Sequence, residues 1–305
     1  MRQIKHQNLT WYDLIKPGEE NFKSLAEKYN LDPFDIEDCL HIAQRPKLEN
    51  RKNYLFIILR VPIYNRQTKT IKASEVDLFA GRNFIISVHQ GNSRTLKRFF
   101  TEIKAAKDNR EKFLASSGSL LYELLFKLYH RCFPILDHIA EDLDNIEDDI
   151  FNHTKQKQTL QKISELRRNI INLRKIMRTH HIVVNNLNKI KAEKFGLTKY
   201  AKKRDNARLK EDLANIWDIV ESHQETIEAL GNTSEVLISY RLNRIILLLT
   251  IVSIIFLPMS LVANLFGINT GGLPWTDNPL GFFYVSGMVL MVGAILTTLF
   301  RLKKW

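Results

Sequence analysis

The stretch "IILLLTIVSIIFLPMSLVANLF" (residues 245–266) contains no Asp, Glu, Lys or Arg, and the turn-prone sequence "GINTGGLPW" (267–275) follows it directly. A second uncharged run covers residues 280–300. At a rise of about 1.5 Å per residue, each run is long enough to cross a hydrocarbon core about 30 Å thick. The sequence therefore predicts two transmembrane helices. A buried helical hairpin in a soluble protein is the alternative, and the length of the runs argues against it.

Basic residues flank the two predicted spans on one side, while the loop between the spans carries a single charge, Asp277. The flanking basic residues are Arg241, Arg244, Arg301, Lys303 and Lys304. Because Lys and Arg accumulate on the cytoplasmic side of a membrane, we expect both the N-terminus and the C-terminus in the cytoplasm. The protein is thus predicted to cross the inner cell membrane twice, with residues 267–279 outside.

The part before the membrane changes character along the chain. Residues 1–118 combine β-branched and aromatic runs, such as "YLFIILRVPIY" (54–64) and "EVDLFAGRNFIISVHQ" (75–90), with helical spacing at 93–107. We therefore predict a cytoplasmic α+β domain of the α/β/α type. Residues 119–204 are predicted to form two long cytoplasmic helices, the first kinked near Pro134 and the second covering 160–190.

A third helical pattern starts near Asp205 and has no convincing break before Gly267. We predict that residues 205–266 form a stalk helix that continues into the first transmembrane helix, with about 245–266 in the membrane. An extracytoplasmic loop (267–279), a second transmembrane helix (280–300) and a basic cytoplasmic tail (301–305) complete the prediction.

The stalk pattern has two faces. Steps of three, four and seven residues predict an apolar packing seam with His223 and Ser234 as polar interruptions. The seam residues are Leu209, Leu213, Ile216, Val220, Ile227, Leu230 and Leu237. Nearly opposite, two neighbouring rows remain largely polar into the membrane. They contain Asp218, Glu225, Asn232, Ser239, Ile246, Ser253 and Ser260, and Val236, Asn243, Thr250, Leu257 and Asn264.

For any single Ser or Thr on these rows, a hydrogen bond back to its own helix is the simpler interpretation. The rows taken together favour a pore lining, because polar groups inside a membrane normally face protein or water. Two helices cannot enclose a pore. We therefore expect several copies, with the first span inside and the second outside, where Gly287 and Gly293 allow close packing.

These residues resemble one known family. The motif "GIN" (267–269) after "FLPMSLVANLF" (256–266), the long preceding helix and the tail "RLKKW" (301–305) are similar to CorA-type divalent metal ion transporters. The resemblance extends to "WYDLIKPGEEN" (11–21) and "DIEDCLHIAQRPKLENRKNYLFIILRVPIY" (35–64), and so covers nearly the whole chain. In the family pattern Gly-Met-Asn, Ile268 replaces Met. Changes at this position, followed by two glycines such as Gly271 and Gly272, are typical of the zinc-transporting ZntB branch.

The resemblance implies a funnel-shaped homopentamer that takes up magnesium, with cobalt or nickel, or alternatively zinc. It places Gly267, Ile268 and Asn269 in the selectivity motif and Asn232 at the inner end of the pore. Pore-facing positions carried over from the family are Ser260, Asn264, Ile246, Leu249 and Leu257, and the polar rows add Ser253 and Asn243. Family members also bind regulatory metal through carboxylates between subunits, for which Asp77, Asp205, Glu211 and Asp212 are candidates.

Each element of the motif has a chemical interpretation. A ring of Asn269 amide oxygens would accept hydrogen bonds from the water shell that Mg²⁺ gives up reluctantly. Gly267 fits the left-handed position that ends a helix. Ile246, Leu249 and Leu257 would form apolar rings that gate by dewetting. Pro258 leaves the Ile254 carbonyl without its helical donor, which makes Pro258 a candidate hinge.

Other function classes have less support in the sequence. No GxxxxGK[ST], GxSxG or HExxH motif is present, so we do not expect an enzyme or a cofactor. The net charge of +12 and the basic run 199–210 would also suit a membrane-anchored binding scaffold. The acidic run 137–149 would either pair with the basic helices that follow or attract cations loosely. Besides the transported ions, the expected partners are other copies and membrane lipids, with neither nucleic acid nor another small-molecule substrate.

Overall fold

The structure is a computed structural model that describes residues 1–16, 18–41, 45–91, 93–105, 107–152, 155–268, 274 and 278–302. It divides into two units, Met1–Gly231 and Asn232–Trp305. The boundary between the units falls inside the longest helix, Lys199–Gly267.

The first unit contains a mixed six-stranded sheet. Its strands are β1 (Arg2–His6), β2 (Leu9–Ile15), β3 (Lys47–Asn50), β4 (Tyr54–Asn65), β5 (Thr70–Gly81) and β6 (Phe84–His89). They are arranged in the order β1-β2-β6-β5-β4-β3, where β2 and β6 are parallel and the other neighbours are antiparallel. The predicted strand at 54–64 is β4. The predicted run 75–90 is β5 and β6, separated by a tight turn after Gly81.

Helices cover both faces of this sheet. On one face, α1 (Glu19–Tyr29) and α2 (Pro33–Leu40) bury Phe22 and Cys39 against strand residues such as Phe56 and Phe79. On the other face, Trp11 of β2 packs against the rings of Phe99 and Phe100 in α3, with ring centroids 5.6 and 5.0 Å apart. Helix α3 covers Arg94–Ala105, and α4 covers Lys107–Phe113. The prediction of an α/β/α domain is therefore confirmed.

The predicted pair of long helices is four shorter helices in the structure. They are α5 (Ser117–His130), α6 (Phe133–Ile150), α7 (Gln156–Met177) and α8 (His180–Lys189), followed by a short 3-10 helix, Ala192–Phe195. Pro134 begins a new helix rather than bending one, because the first turn of a helix needs no proline N–H. The apolar spacing continues across both breaks, which explains why the pattern alone predicts uninterrupted helices.

Helix α9 (Lys199–Gly267) has 69 residues and starts somewhat earlier than expected. Its predicted apolar seam is confirmed within the first unit: Leu209, Ile216, Val220 and Ile227 are fully buried. The polar interruption His223 places Nε2 3.2 Å from the carbonyl oxygen of Leu136 in α6, which satisfies a half-buried polar group. The seam thus holds the first part of α9 against the helices that precede it.

The acidic run in α6 is partly paired. The Asp149 carboxylate accepts hydrogen bonds at 2.7 Å from both Lys155 and Lys162. The hydrogen bond from Lys155, and after it the one from Lys162, lower the pKa of Asp149. Asp137, Asp144 and Asp148 are exposed. The acidic run has two interpretations, and one of them is pairing with the basic helices that follow. This pairing is present at the C-terminal end of the run, at Asp149.

The second unit consists of the rest of α9 and α10 (Gly281–Leu302). Both helices are long and apolar enough to cross a membrane. They pack where Gly293 meets Met259: a Cβ at Gly293 would lie 2.9 Å from the Met259 sulfur. At Gly287, which we expected to pack as well, no neighbouring residue of the described part of the chain comes within 4 Å of the corresponding position.

Candidate functional site

The candidate site is the face of α9 that α10 leaves uncovered. A groove between the two helices is lined by Ala263 and Phe266 of α9, next to the Met259 contact with α10. A helix turns by about 100° per residue, so the predicted pore-facing side chains lie roughly 80° to 160° around α9 from Met259. All of them are exposed: Ile246, Leu249, Ser253, Leu257, Ser260 and Asn264.

Hydroxyl groups on this face bond back to their own helix. Ser253 Oγ donates to the carbonyl oxygen of Leu249 at 2.9 Å, and Thr250 Oγ1 donates to that of Ile246 at 2.8 Å. A hydroxyl has one hydrogen and two lone pairs. Since the hydrogen is used within the helix, each oxygen offers only acceptor lone pairs to the outside. Such an oxygen attracts cations and the hydrogens of their water shells.

Thr250 was not among the predicted pore-lining residues, although it lies on the companion polar row. By the same helical geometry it lies about 180° from Met259, directly opposite the α10 contact. Its place on a row with Asn243, Leu257 and Asn264 was the signal available in the sequence. Thr250 therefore belongs with Ser253 in the candidate site.

The outer end of α9 differs from expectation at Gly267. This glycine is the last residue of the helix, and its φ angle is outside the left-handed region. Our expectation of a left-handed Gly267 is wrong, because the helical conformation continues through it. Among the described residues beyond its own helix backbone and chain neighbours, none comes within 4 Å of a Cβ at Gly267, and Ile268 beside it is half exposed. Asn269, the third residue of the motif, lies outside the described residues.

Pro258 lies within α9 and does not end the helix. Its role as a hinge stays a prediction. Closer to the N-terminal end of the second unit, Asn243 and Asn232 are exposed on the same helix. Both side chains are therefore free to line a pore, as the polar rows and the family resemblance predict.

The regulatory metal candidates are not gathered together within one chain. Asp77 is buried in β5, where burial, and then the charge of Glu75, raise its pKa well above the usual range. Asp205 pairs with Arg204 at 2.8 Å, Asp212 lies 3.5 Å from His130, and Glu211 is exposed. Within the described part of the chain, no group of three or more His, Cys, Asp or Glu side chains is placed to hold a metal ion. A metal site shared between copies stays a prediction.

Comparison with known proteins decides the family. The model of the CorA-like Mg²⁺ transporter protein family matches residues 6–304. The chain belongs to the CorA family. It is therefore a divalent cation transporter, and its two apolar helices are the two membrane spans of such a protein.

Individual CorA relatives are distant in sequence and similar in fold. The cobalt/magnesium transport protein CorA of Thermotoga maritima is 25% identical over 92% of this chain and 78% of its own length. The zinc transport protein ZntB of Pectobacterium carotovorum is 23% identical over 86% of this chain and 77% of its own. The solved structure of the CorA magnesium transporter from Methanocaldococcus jannaschii matches with a TM-score of 0.83 at 21% identity, covering 99% of this chain and 93% of that one. Relatives named for different metals thus align with most of this chain.

Proposed function

We propose that this CorA-family protein conducts a hydrated divalent cation, magnesium first and cobalt or nickel less selectively, through a pore that five copies form with α9 inside. The observation that carries the proposal is the face of α9 that α10 leaves uncovered, on which the polar side chains of Ser253, Ser260 and Asn264 are all exposed. Such a face is costly in hydrocarbon and useful around a column of water and ions.

The choice of magnesium rests on ligand chemistry. Residues 232–305 contain no His and no Cys, the side chains that zinc prefers. The polar groups on the α9 face are hydroxyls and amides, which suit the oxygen-seeking Mg²⁺ ion and its water shell. The thioether of Met259 is turned toward Gly293 rather than to that face. Zinc transport of the ZntB type remains the second candidate, because Ile268 and the glycines after the motif resemble that branch.

The assembly follows from the same face. One chain supplies two spans and leaves one side of α9 open, so several copies are needed to close a water-filled path. Five copies are what the family resemblance implies. The exposed apolar side chains Ile246, Leu249 and Leu257, with 51, 63 and 68% of their surface accessible, would then point toward the axis and narrow it. Rings of this kind block ions when they lose water.

The test is uptake by the purified full-length protein in liposomes, with magnesium, cobalt, nickel and zinc offered separately, and with the mass of the assembly measured in detergent. We expect a pentamer that takes up magnesium, followed by cobalt and nickel. Uptake of zinc without magnesium would replace the proposal by the zinc alternative. A monomer or dimer that still conducts would refute the pore. The membrane-anchored scaffold would instead be supported if the protein took up no ions but bound nucleic acid or lipid in a salt-sensitive way that depends on the lysines of 199–210.

A further inference from the structure

A cleft of about 460 Å³ lies in the first unit, where the end of α7 and the start of α8 face α9. Its apolar lining includes Met177, Val184 and Leu213, all of them buried. The volume is in the range of pockets that hold small organic ligands. The pore-lining residues predicted in α9 lie between Asn232 and Asn264, and none of them lines this cleft.

The rim of the cleft is basic. Arg178 and Lys210 both line it and are exposed, and among the described residues neither has an ion-pair partner. His181 and Asn185 add a ring nitrogen and an amide to the same rim. Arginine and lysine side chains are the groups that most often bind phosphates in proteins.

One wall of the cleft is aromatic, because Trp217 lines it. The guanidinium of Arg174 lies 5.7 Å from the centroid of the Trp217 ring, and Arg174 also pairs with Glu221 at 3.4 Å. The neighbour of Trp217, Asp218, is an exposed carboxylate on the rim, which would repel a phosphate but accept hydrogen bonds from sugar hydroxyls.

The register of the helices sets the order of these groups along the cleft. Arg174 pairs with Glu221, and further along the chain Lys202 donates to the carbonyl oxygen of Asn188, so α7 and α8 run antiparallel to α9. Arg178, about one turn after Arg174, therefore lies at about the level of Trp217. Lys210 is seven residues from Trp217, or about 10 Å along α9, and lies toward the other end of the cleft.

We propose that this cleft binds a nucleoside phosphate. The base stacks on Trp217, the ribose hydroxyls donate to Asp218, and the phosphates extend past Arg178 to Lys210. An inorganic phosphate would leave the indole unused, and a neutral aromatic compound would leave both cations unused. The site does not depend on the proposed transport function, because its binding is measured without ion flux.

The experiment is a calorimetric titration of the full-length protein in detergent and EDTA with ADP, adenosine and inorganic pyrophosphate. We expect ADP to bind at least about tenfold more tightly than either fragment, since each fragment loses one half of the contacts. Lys210→Ala and Trp217→Leu should each weaken ADP binding about tenfold. The matched control is Lys203→Ala, an exposed lysine of the same helix outside the cleft, which should bind as the parent does.

Several results would overturn the proposal. If the parent protein does not bind ADP, the proposal is wrong. This holds also if the reason is that another copy covers the cleft in the assembly. Equal affinity for pyrophosphate and ADP, unaffected by Trp217→Leu, would reduce the site to a basic patch. An equal loss in Lys203→Ala would show a general effect of positive charge. Melting temperatures of all variants establish that they are folded. If Trp217→Leu does not fold, the Lys210→Ala variant still tests the proposal.

Discussion

The Ser253 hydroxyl donates its hydrogen to the carbonyl oxygen of Leu249, 2.9 Å away and one turn earlier in α9. A matching bond exists on α10, where Thr298 donates to the carbonyl oxygen of Ala294 at 2.7 Å. Both hydroxyls satisfy their hydrogens within their own helix and keep their lone pairs outward. They differ in position: Ser253 lies on the candidate pore face, and Thr298 lies on the other span.

Replacing Ser253 should therefore affect transport, whereas replacing Thr298 should not. We expect Ser253→Ala to lower magnesium uptake in liposomes by about two- to tenfold, because it removes one outward acceptor per copy. Thr298→Ala is the matched control, since it removes the same kind of internal bond from α10. Equal uptake by the two variants would remove Ser253 from the ion path.

The contact between Gly293 and Met259 predicts how the two spans tolerate larger side chains. Gly293→Leu should destabilise their packing by about 1 to 3 kcal/mol, because a Cβ alone would come 2.9 Å from the Met259 sulfur. Gly287→Leu is the control on the same helix, where the structure describes no neighbouring residue within 4 Å of the added Cβ. Thermal melting in detergent measures both, and the double variant Met259→Ala/Gly293→Leu should recover part of the loss. Identical melting of the two single variants would argue against this packing.

The buried histidine at the start of α8, His180, predicts a pH dependence of stability. Burial lowers the pKa of His180 to about 4, and its Nε2 lies 2.7 Å from the carbonyl oxygen of Arg60. The unfolded chain takes up this proton below about pH 6.5, while the folded chain does so only near its lowered pKa. The contribution of His180 to the free energy of unfolding is therefore fully present above about pH 6.5. It falls as the pH decreases, by about 2 kcal/mol between roughly pH 7 and pH 5.

Denaturation at these two pH values checks the assignment to His180. The variant His180→Gln should lose most of this difference, whatever its stability at neutral pH. His181→Gln should keep it, because His181 is exposed. If the pH dependence of His180→Gln equals that of the parent, another group is responsible.

The motif residue Asn269 gives a prediction that depends on the proposed function. Asn269→Ala should nearly abolish uptake while the oligomer persists, since it removes amide acceptors but no charge and no seam residue. Asn269→Asp should bind divalent ions more tightly and conduct more slowly, because a ring of carboxylates holds a cation strongly. Uptake assays and mass measurement distinguish the two effects. If both variants transport every ion as the parent does, the motif only ends a helix.

Much of this fold is predictable from local patterns. Strand β4 and the pair β5 and β6 coincide with apolar and β-branched runs, and the α9 seam is visible in its spacing because each turn repeats the same burial. The same spacing does not reveal the breaks at Arg131–Cys132 and Arg178–Thr179, since apolar residues recur across them in helical phase. Gly267 was assigned the wrong conformation because glycine permits a left-handed φ without requiring it.

The sequence by itself determined the two spans, the apolar seam and the largely polar row of α9, since charge and periodicity are properties of one helix at a time. Tertiary structure alone decided which side of α9 meets α10, that Asp77 is buried in the sheet, and that Trp217 shares a cleft with Arg178. These relationships join residues far apart in the chain. Their geometry depends on how whole helices and strands pack, which no local pattern encodes.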